Sequence, residues 1–491
     1  MKGNLIMSKT TIATALILFL VTKSAADIIG VPADYPSIQE AIIAAVDGDT
    51  VLVSPGTYQE NINFRGRNIT VASEYLFDRD FMTIVSTVID GSNPVLTDTG
   101  SCVIINSGED TSAVLEGFTL TGGIGTRWLD EHGAGIYVEG GGILIQYSSP
   151  TIRHNRIVDN FAIRLLPGAI SGGGGGIRIG DGTPHILNNV IMGNEGLYGG
   201  GIVLNYTGGI VKNNIIFSNR VYQAVATAPT FGGGGIWVSQ SFGSNQKVIE
   251  NNTIVGNSVS GTGSGFAGRG GGILVSGTNA TIRNNIVWAN TQIIGGQIIA
   301  LGGGISVVTY SDVEGGYSGT GNIDLDPVFE DSSFYLQSAS PCIDAGDTNS
   351  AFDDPEDSQN PGSALWPSLG GLRNDIGAYG GPGSSILDEF PITGVEEPDQ
   401  GEIPEGFHLY QNFPNPFNPG TEISYQLSAV SFVELRVFDV LGREVATLIN
   451  ERLSPGFHRV SFDGSKLSSG IYVYRLIAGG FTESRRMVLL K

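Results

Sequence analysis

Hydrophobic and polar residues alternate over short stretches along most of the chain, and two strings recur. The glycine-rich string has the copies GGGILI (140–145), GGGIRI (174–179), GGGIVL (199–204), GGGIWV (233–238), GGGILV (270–275) and GGGISV (302–307). The asparagine-rich string has the copies TIRHNRIVDN (151–160), HILNNVIMGN (185–194), IVKNNIIFSN (210–219), VIENNTIVGN (248–257) and TIRNNIVWAN (281–290). The shortest full repeat, from Asn189 to Asn214, is 25 residues. Alternation without helical periodicity at this repeat length predicts a solenoid of short parallel strands, one coil per repeat.

Equivalent residues of successive coils should stack about 4.8 Å apart. Two inward apolar columns are predicted, namely Ile152, Ile186, Val211, Ile249 and Ile282, and Ile157, Ile191, Ile216, Ile254 and Val287. Two corners are predicted to hold stacked asparagines, namely Asn155, Asn189, Asn214, Asn252 and Asn285, and Asn160, Asn194, Asn219, Asn257 and Asn290. Asparagine tolerates the left-handed backbone of a sharp corner, and stacked amides both donate and accept hydrogen bonds. Because five copies are equivalent, we interpret the string as architecture rather than a catalytic signature.

These repeats resemble the right-handed parallel β-helix of pectin-lyase-like proteins, over roughly residues 28–382. Residues 31–62 are similar to the N-terminal cap and first coil of bacterial β-helix proteins, and residues 322–347 and 375–382 are similar to their closing segment. In the cap, Ile38, Ala41, Ile42, Ala45 and Val46 share one helical face, and Ser37 with Glu40 could form a capping box. The predicted fold class is all-β, with a right-handed parallel β-helix over residues 27–382.

The last part of the chain has a different pattern. Residues 383–406 are acidic, contain Pro and Gly, and are predicted to be a linker. Residues 407–491 alternate in the manner of a small immunoglobulin-like β-sandwich. Their strings NFPNPFNP, DVLGREV and SSGIYVYRL resemble the type A C-terminal sorting domain of the type IX secretion system. That resemblance implies recognition by the secretion machinery and release or attachment at the outer cell surface; the alternative is an ordinary adhesion module.

The N-terminus has the features of a secretory signal peptide. Lys2 and Lys9 precede an apolar run, Ile12–Val21, and small residues precede Asp27. The signal peptide is predicted to span residues 1–26. About ten apolar residues are too short for the competing interpretation, a membrane anchor across ~30 Å of hydrocarbon, and no later segment resembles a transmembrane helix. Outside the cytoplasm Cys102 and Cys342 could form a disulfide, but the sequence leaves their pairing open.

The charge of the chain restricts its partners. The net charge is −22; residues 27–406 carry 14 basic and 41 acidic residues (−27), whereas residues 407–491 carry 9 and 7 (+2). Nucleic acid is therefore an unsuitable partner, and cations or neutral glycans fit better.

Two features of the solenoid could form a ligand site. Equivalent outward positions place Arg153, Leu187, Lys212, Glu250 and Arg283 in a mixed-charge strip, which either binds sugars or is simply a solvated face. The interval from the last Asn of a coil to the next glycine-string Ile is 8 residues at Asn194–Ile202 and 15–17 in the other coils. The longer intervals should project from one side and leave a cleft beside Tyr198. Residues suited to a glycan in these insertions include Tyr222, Phe266 and Arg269.

Candidates for catalysis are weaker. His154, Asp159 and Lys212 are the main ones, with His154 and Asp159 as a possible acid–base pair; Asp181, Glu195, Glu250, Arg156 and Arg178 are further candidates. No paired-aspartate motif of polygalacturonases is present. The sequence therefore names no catalytic pair with certainty, and enzyme activity is left open. Asp344, Asp347, Asp353 and Asp354 offer hard oxygen ligands for Ca²⁺, although acidic loops are often only solvated.

The sequence thus predicts a secreted or surface-attached β-helix protein that binds extracellular polysaccharide or acts in adhesion. The alternatives are a polysaccharide lyase or glycoside hydrolase acting in the same cleft, and an interaction protein without a glycan ligand. Fold alone does not decide among them.

Overall fold

The computed structural model describes the chain with gaps. The described residues are 26–130, 132–133, 135–162, 168–221, 232–240, 246–260, 268–330, 333–384, 407–409, 412, 417, 419–427, 431–439, 442–453, 456–479 and 481–489. They form two compact units, residues 26–282 with 287–308, and residues 283–286 with 309–489. Nearly all of the predicted signal peptide and linker, together with Tyr222 and Phe266, lie outside the described residues.

Three stacks of parallel strands build the first unit. Sheet 1 takes its strands in the order Ile28–Val31, Thr50–Val53, Thr70–Ser73, Val114–Glu116, Thr151–Arg153, His185–Leu187, Gly209–Lys212, Lys247–Glu250, Asn279–Arg283 and Ile305–Thr309. Sheet 2 takes Gly56–Tyr58, Thr87–Asp90, Thr119–Thr121, Arg156–Val158, Val190–Met192, Ile215–Phe217, Thr253–Val255 and Ile286–Trp288. Sheet 3 takes Ile62–Asn63, Val103–Ile105, Ile143–Gln146, Ile177–Gly180, Ile202–Asn205, Ile236–Ser239, Ile273–Ser276 and Ile298–Leu301. This arrangement confirms the predicted parallel β-helix.

The core of the solenoid consists of the predicted apolar columns. Ile152, Ile186, Val211 and Ile249 are aligned partners in sheet 1, and Ile157, Ile191, Ile216 and Ile254 are aligned partners in sheet 2. All of them are fully or almost fully buried. Burying a side chain of this size contributes roughly 1.5–3 kcal/mol. A single coil could not bury both faces, so each coil depends on its neighbours.

The asparagines form two buried ladders. In the first, Asn155 Nδ2 donates to Asn189 Oδ1 (3.1 Å), Asn189 Nδ2 to Asn214 Oδ1 (3.0 Å) and Asn214 Nδ2 to Asn252 Oδ1 (3.0 Å). The second ladder runs through Asn160, Asn194, Asn219, Asn257 and Asn290 and ends on Gln297 Oε1. The amide stacking predicted from the repeat is confirmed.

The left-handed backbone at these corners belongs to the preceding residue, which corrects the prediction. The residues with positive φ are His154, Asn188, Asn213, Asn251 and Asn284 at the first corner, and Asp159, Gly193, Ser218, Gly256 and Ala289 at the second. The ladder asparagine follows the bend, and its side chain then points inward. The corner therefore uses two residues, one for the turn and one for the amide.

A short helix, Ile38–Ala44, caps the N-terminal end of the solenoid. Ser37 Oγ accepts a hydrogen bond from Glu40 N (3.2 Å), so the predicted N-cap is present. Ile38, Ala41, Ile42 and Ala45 are buried, but Val46 is 57% exposed, because the helix ends before it. Two further helices, Tyr75–Asp78 and Phe81–Ser86, occur between coils.

Two smaller sheets are built from segments between the coils. One is parallel and consists of Phe161–Ala162, Glu195–Gly196, Arg220–Val221 and Ser258–Val259. The other takes the order Thr99–Gly100, Gly125–Asp130, Gly135–Glu139 and Ala169–Gly173. Within it, the strands Gly125–Asp130 and Gly135–Glu139 form one antiparallel hairpin segment, in which Trp128 pairs with Tyr137. We call this segment the hairpin.

The second unit contains the closing segment, residues 309–384, and the tail. The closing segment has one short strand, Asp312–Val313, and a 3-10 helix, Ser350–Phe352. The tail has a three-stranded antiparallel sheet (His408–Leu409, Gly420–Leu427, Gly456–Asp463) and a four-stranded one in the order Glu444–Leu453, Ser431–Asp439, Gly470–Ala478, Phe481–Leu489. Buried residues of both sheets form one core, in agreement with the predicted β-sandwich.

The cysteines and the membrane prediction can be checked in the described part of the chain. Cys102 and Cys342 are free, buried thiols. No helix among the described residues is long and apolar enough to cross a membrane.

Candidate functional site

The outward column of sheet 3 breaks the repeat at two positions. Register places Leu144, Arg178, Val203, Trp237 and Leu274 at equivalent positions on successive strands. Three of these five residues are aliphatic, and the other two are Arg178 and Trp237. The hairpin contacts this face, because the Arg178 guanidinium lies 4.1 Å from the centroid of the Trp128 ring. A unique constellation therefore forms here rather than a repeated one.

A buried ion pair joins the hairpin to the solenoid. Arg178 is 1% exposed, and its Nε lies 2.8 Å from Glu139 Oε2. Trp128 Nε1 donates to Glu139 Oε2 (2.5 Å), and the Tyr198 hydroxyl donates to Glu139 Oε1. Removing one partner of such a pair leaves an uncompensated buried charge, which is strongly destabilising. The pair thus fixes the positions of both aromatic rings.

Two glycines allow this close packing. A Cβ on Gly173 would lie 2.2 Å from the Tyr198 ring, and a Cβ on Gly180 would lie 2.1 Å from Arg178 Nη1. Gly180 therefore lets Arg178 reach Gln146, to whose Oε1 it donates a hydrogen bond. Neither position could hold a larger residue without displacing the ring or the guanidinium.

A second polar link occurs at the tip of the hairpin. His132 Nε2 lies 3.0 Å from Asp181 Oδ1, and the His132 ring stacks on Tyr206 with centroids 3.8 Å apart. Gln146 Nε2 donates to Asp181 Oδ2 (2.8 Å). The Glu139–Arg178 ion pair and a run of hydrogen bonds through Gln146 and Asp181 thus connect Glu139 to His132.

Six aromatic side chains surround these groups, and we call them the aromatic patch. Its members are Trp128, His132, Tyr137, Tyr198, Tyr206 and Trp237. Tyr198 is its buried centre, 5.0 Å from the Trp237 ring and 6.5 Å from Tyr137 in an edge-on contact. Burial, reinforced by Glu139, raises the pKa of Tyr198 well above its usual range. The other members are half-buried.

The predicted mixed-charge strip forms, but its charges are used within the fold. Arg153, Leu187, Lys212 and Glu250 are aligned in register, as expected. Lys212 Nζ lies 2.8 Å from Glu250 Oε1. In the second unit, Arg283 lies 3.7 Å from Asp347 and 3.7 Å from the centroid of the Phe352 ring.

His154 contacts Glu116 and not the predicted partner Asp159. Glu116 is fully buried and lies 2.7 Å from Arg153 Nη2, 2.6 Å from Arg79 Nη1 and 3.2 Å from His154 Nδ1. Burial favours the neutral carboxyl, but the His154 hydrogen bond and the two arginines outweigh it and hold the pKa of Glu116 at about 2. Asp159 is exposed at its corner. His154 and Lys212 therefore pair with Glu116 and Glu250, and the two do not form one acid–base group with Asp159.

The predicted cleft residues have different surroundings. Tyr198 lies at the centre of the aromatic patch rather than on an open notch, because the hairpin and Gly173 pack over it. Arg269 is half-buried, and its backbone bridges to Ile294.

The predicted calcium ligands mostly accept hydrogen bonds from the backbone. Asp344 accepts from Gly371 N, and Asp354 accepts from Asp375 N and Gly381 N. Asp347 accepts from Asn349 N. In the ranges that the structure describes, no three His, Cys, Asp or Glu side chains gather as ligands for a metal ion. The calcium site stays a prediction.

Sequence reasoning named Arg178 and Asp181 but missed the hairpin residues and Trp237. The signal for Trp237 was its place in an otherwise aliphatic column of the glycine-rich string. The signal for the hairpin was the segment GTRWLDEHGAGIYVE, which interrupts the repeat with alternating aromatic and acidic residues.

Two parts of the chain match known families. Residues 100–317 match the family described as right handed beta helix region, and residues 411–490 match the family described as secretion system C-terminal sorting domain. No curated protein and no solved structure matches the chain. The protein is a right-handed parallel β-helix protein that carries a type IX C-terminal sorting domain. The sorting domain implies recognition by type IX secretion and a secreted or cell-surface location.

Proposed function

We propose that the protein binds polysaccharide outside the cell through the aromatic patch. The observation that carries the proposal is the set of half-buried rings Trp128, Tyr137, Tyr206 and Trp237, of which Trp128 contacts the buried Glu139–Arg178 pair. Aromatic rings offer large contact areas with little loss of conformational freedom, and such rings dominate binding energies at interfaces. A sugar ring can stack on them through its C–H faces while its hydroxyls hydrogen-bond nearby carboxylates.

Rigidity supports binding at this patch. The Glu139–Arg178 pair and the His132–Asp181 link fasten the hairpin at its base and at its tip. Because the rings are already ordered, a ligand does not have to immobilise them, and binding costs less conformational entropy.

The test compares two tryptophans in the full chain. Trp237→Ala should weaken binding to a retained polysaccharide roughly tenfold to a hundredfold. Trp366→Ala is the matched control, because Trp366 is 47% exposed and belongs to the closing segment. Affinity electrophoresis in gels containing individual polysaccharides measures both. Equal retention of both variants and the native chain would contradict binding at the patch.

Cleavage of the same glycan is the second candidate function, and the His132–Asp181 pair favours it. These two groups are 18% and 11% exposed and lie 3.0 Å apart beside Tyr206, so they can exchange a proton with a bound sugar. New reducing or unsaturated chain ends, released by the native chain and not by Asp181→Asn, would establish catalysis. Retention without new ends would support binding alone.

We also propose that residues 1–26 act as a signal peptide before the sorting domain directs export. Mass spectrometry of the exported chain should find its N-terminus at Asp27. An exported chain that retains Met1 would refute this.

A further inference from the structure

Among the residues that the structure describes, acidic groups outnumber basic ones around the aromatic patch. Three carboxylates, Asp130, Glu139 and Asp181, lie within or beside it and are mostly buried. Arg178 balances one of them through its pair with Glu139. Apart from His132, these three carboxylates and one guanidinium give a formal charge of −2.

The two half-buried tyrosine hydroxyls lie in the field of these carboxylates. Burial, followed by Glu139 and Asp130, raises the pKa of Tyr137. Burial, followed by Asp130 and Asp181, raises the pKa of Tyr206. Both shifts disfavour a further negative charge at the surface where a ligand would contact the rings.

The wider charge distribution acts in the same direction. Residues 27–406 carry a net charge of −27. Surface potentials of one sign repel ligands of that sign and lower their association rate, and the effect weakens with salt.

We infer that the aromatic patch selects neutral polysaccharides and rejects polyanionic ones such as polyuronates. The inference rests on the proposed function. Neutral sugar hydroxyls can donate to Asp130 and Asp181, and the C–H faces of the sugar can stack on Tyr206 and Trp237. A uronate carboxylate would instead face like charges, and Arg178 is already engaged with Glu139 and Gln146.

The experiment uses two pairs of polymers that share a backbone and differ in charge. One pair is polygalacturonan and its methyl ester; the other is carboxymethylcellulose and hydroxyethylcellulose. The dissociation constants of the full chain are measured at low and high salt, with a chelator present to prevent cation bridging between carboxylates. At low salt the neutral member of a bound pair should bind at least about tenfold more tightly than the acidic member. The ratio of the two dissociation constants should shrink as the salt concentration rises.

Asp181→Asn tests whether the patch is the source of the selectivity. It keeps a hydrogen-bonding group and removes one charge, so the ratio of the two dissociation constants should narrow roughly threefold or more. Because the ratio is taken within one variant, a loss of affinity common to both polymers does not alter it. Asp110→Asn, an exposed acid of a corner of sheet 1, is the control and should leave the ratio unchanged.

The outcomes separate the two proposals. Binding that is as tight or tighter for the acidic member would overturn the selectivity and leave polysaccharide binding in place. If Asp181→Asn leaves the ratio of dissociation constants unchanged, the selectivity comes from the rest of the surface, and its assignment to the aromatic patch is overturned. Failure to bind any of the four polymers would refute the proposed function, and the inference with it.

Discussion

Replacing Asn214 by alanine removes one rung from the first asparagine ladder. Its Nδ2 donates to Ile186 O (2.8 Å), Lys212 O (2.9 Å) and Asn252 Oδ1 (3.0 Å). Its Oδ1 accepts from Asn189 N (2.9 Å) and Asn189 Nδ2 (3.0 Å). The substitution therefore deletes five hydrogen bonds, three donated and two accepted, in a fully buried environment.

The magnitude follows from the groups left without partners. A typical hydrogen bond contributes about 1 kcal/mol net, and an unsatisfied buried group costs about 1–3 kcal/mol. The Lys212 carbonyl keeps its hydrogen bond from Asn188 N (3.1 Å), so the bond lost there counts for less. We expect Asn214→Ala to lower the free energy of unfolding by about 3–5 kcal/mol.

Hydrogen exchange is the suitable assay, because coils of a solenoid can unfold in separate cooperative groups. Amides of residues 186–219 should lose protection first. Asn189→Ala should have a similar cost, since that residue makes the same set of bonds. Asn106→Ala, an exposed position, should stay within about 0.5 kcal/mol of the native chain. A cost below about 1 kcal/mol for Asn214→Ala would refute the structural role of the ladder.

Three further predictions concern charged groups. Burial and neighbouring carboxylates raise the pKa of Asp354 to about 8 and of Asp375 to about 7. The stability of the closing segment should therefore be greatest below about pH 4 and should fall as the pH rises from there through 7 to 8. Hydrogen exchange, corrected for intrinsic exchange rates, measures this pH dependence. Asp354→Asn should flatten it. The depressed pKa of Glu116 acts in the opposite direction, because its ionised form stabilises the fold. Glu116→Gln should lower the free energy of unfolding by about 1–3 kcal/mol at neutral pH, a moderate value because Arg79 and Arg153 are partly exposed. A urea-unfolding midpoint equal to that of the native chain would count against this prediction. The calcium prediction is checked by titrating Ca²⁺ into the chain in a calorimeter. Binding heat that the native chain shows and Asp354→Asn lacks would support the site, and no binding heat from the native chain would refute it.

The repeat made the fold predictable because the same physical requirement recurs in every coil. Inward positions such as Ile186 and Ile216 need apolar side chains, and the corner needs Asn189 or its equivalents, so spacing alone identified both. Spacing did not identify the residue with left-handed backbone. Two adjacent asparagines, as in Asn188 and Asn189, both suit that conformation, and only the three-dimensional path of the chain decides between them.

The charges of the strip illustrate a second limit. Register predicted that Lys212 and Glu250 would be neighbours, and they are. Their pairing at 2.8 Å then leaves them little capacity for a ligand. His154 was paired with Asp159 because they are close in sequence, whereas its partner Glu116 comes from the preceding coil. In a solenoid, the nearest charge often lies one coil away.

The architecture of this protein and its candidate site use different residues for a physical reason. A residue that occurs in every coil must satisfy every coil, so it cannot also provide the single arrangement of groups that recognises one ligand. Arg178 and Trp237 depart from an aliphatic column, and the hairpin that carries Trp128 and Glu139 has no counterpart among the described coils. Because the ladders and columns stabilise the coils without these residues, departures from the repeat can accumulate at one face without loss of the fold. Departures from the repeat, rather than the repeat itself, therefore indicate where a solenoid of this kind binds its ligand.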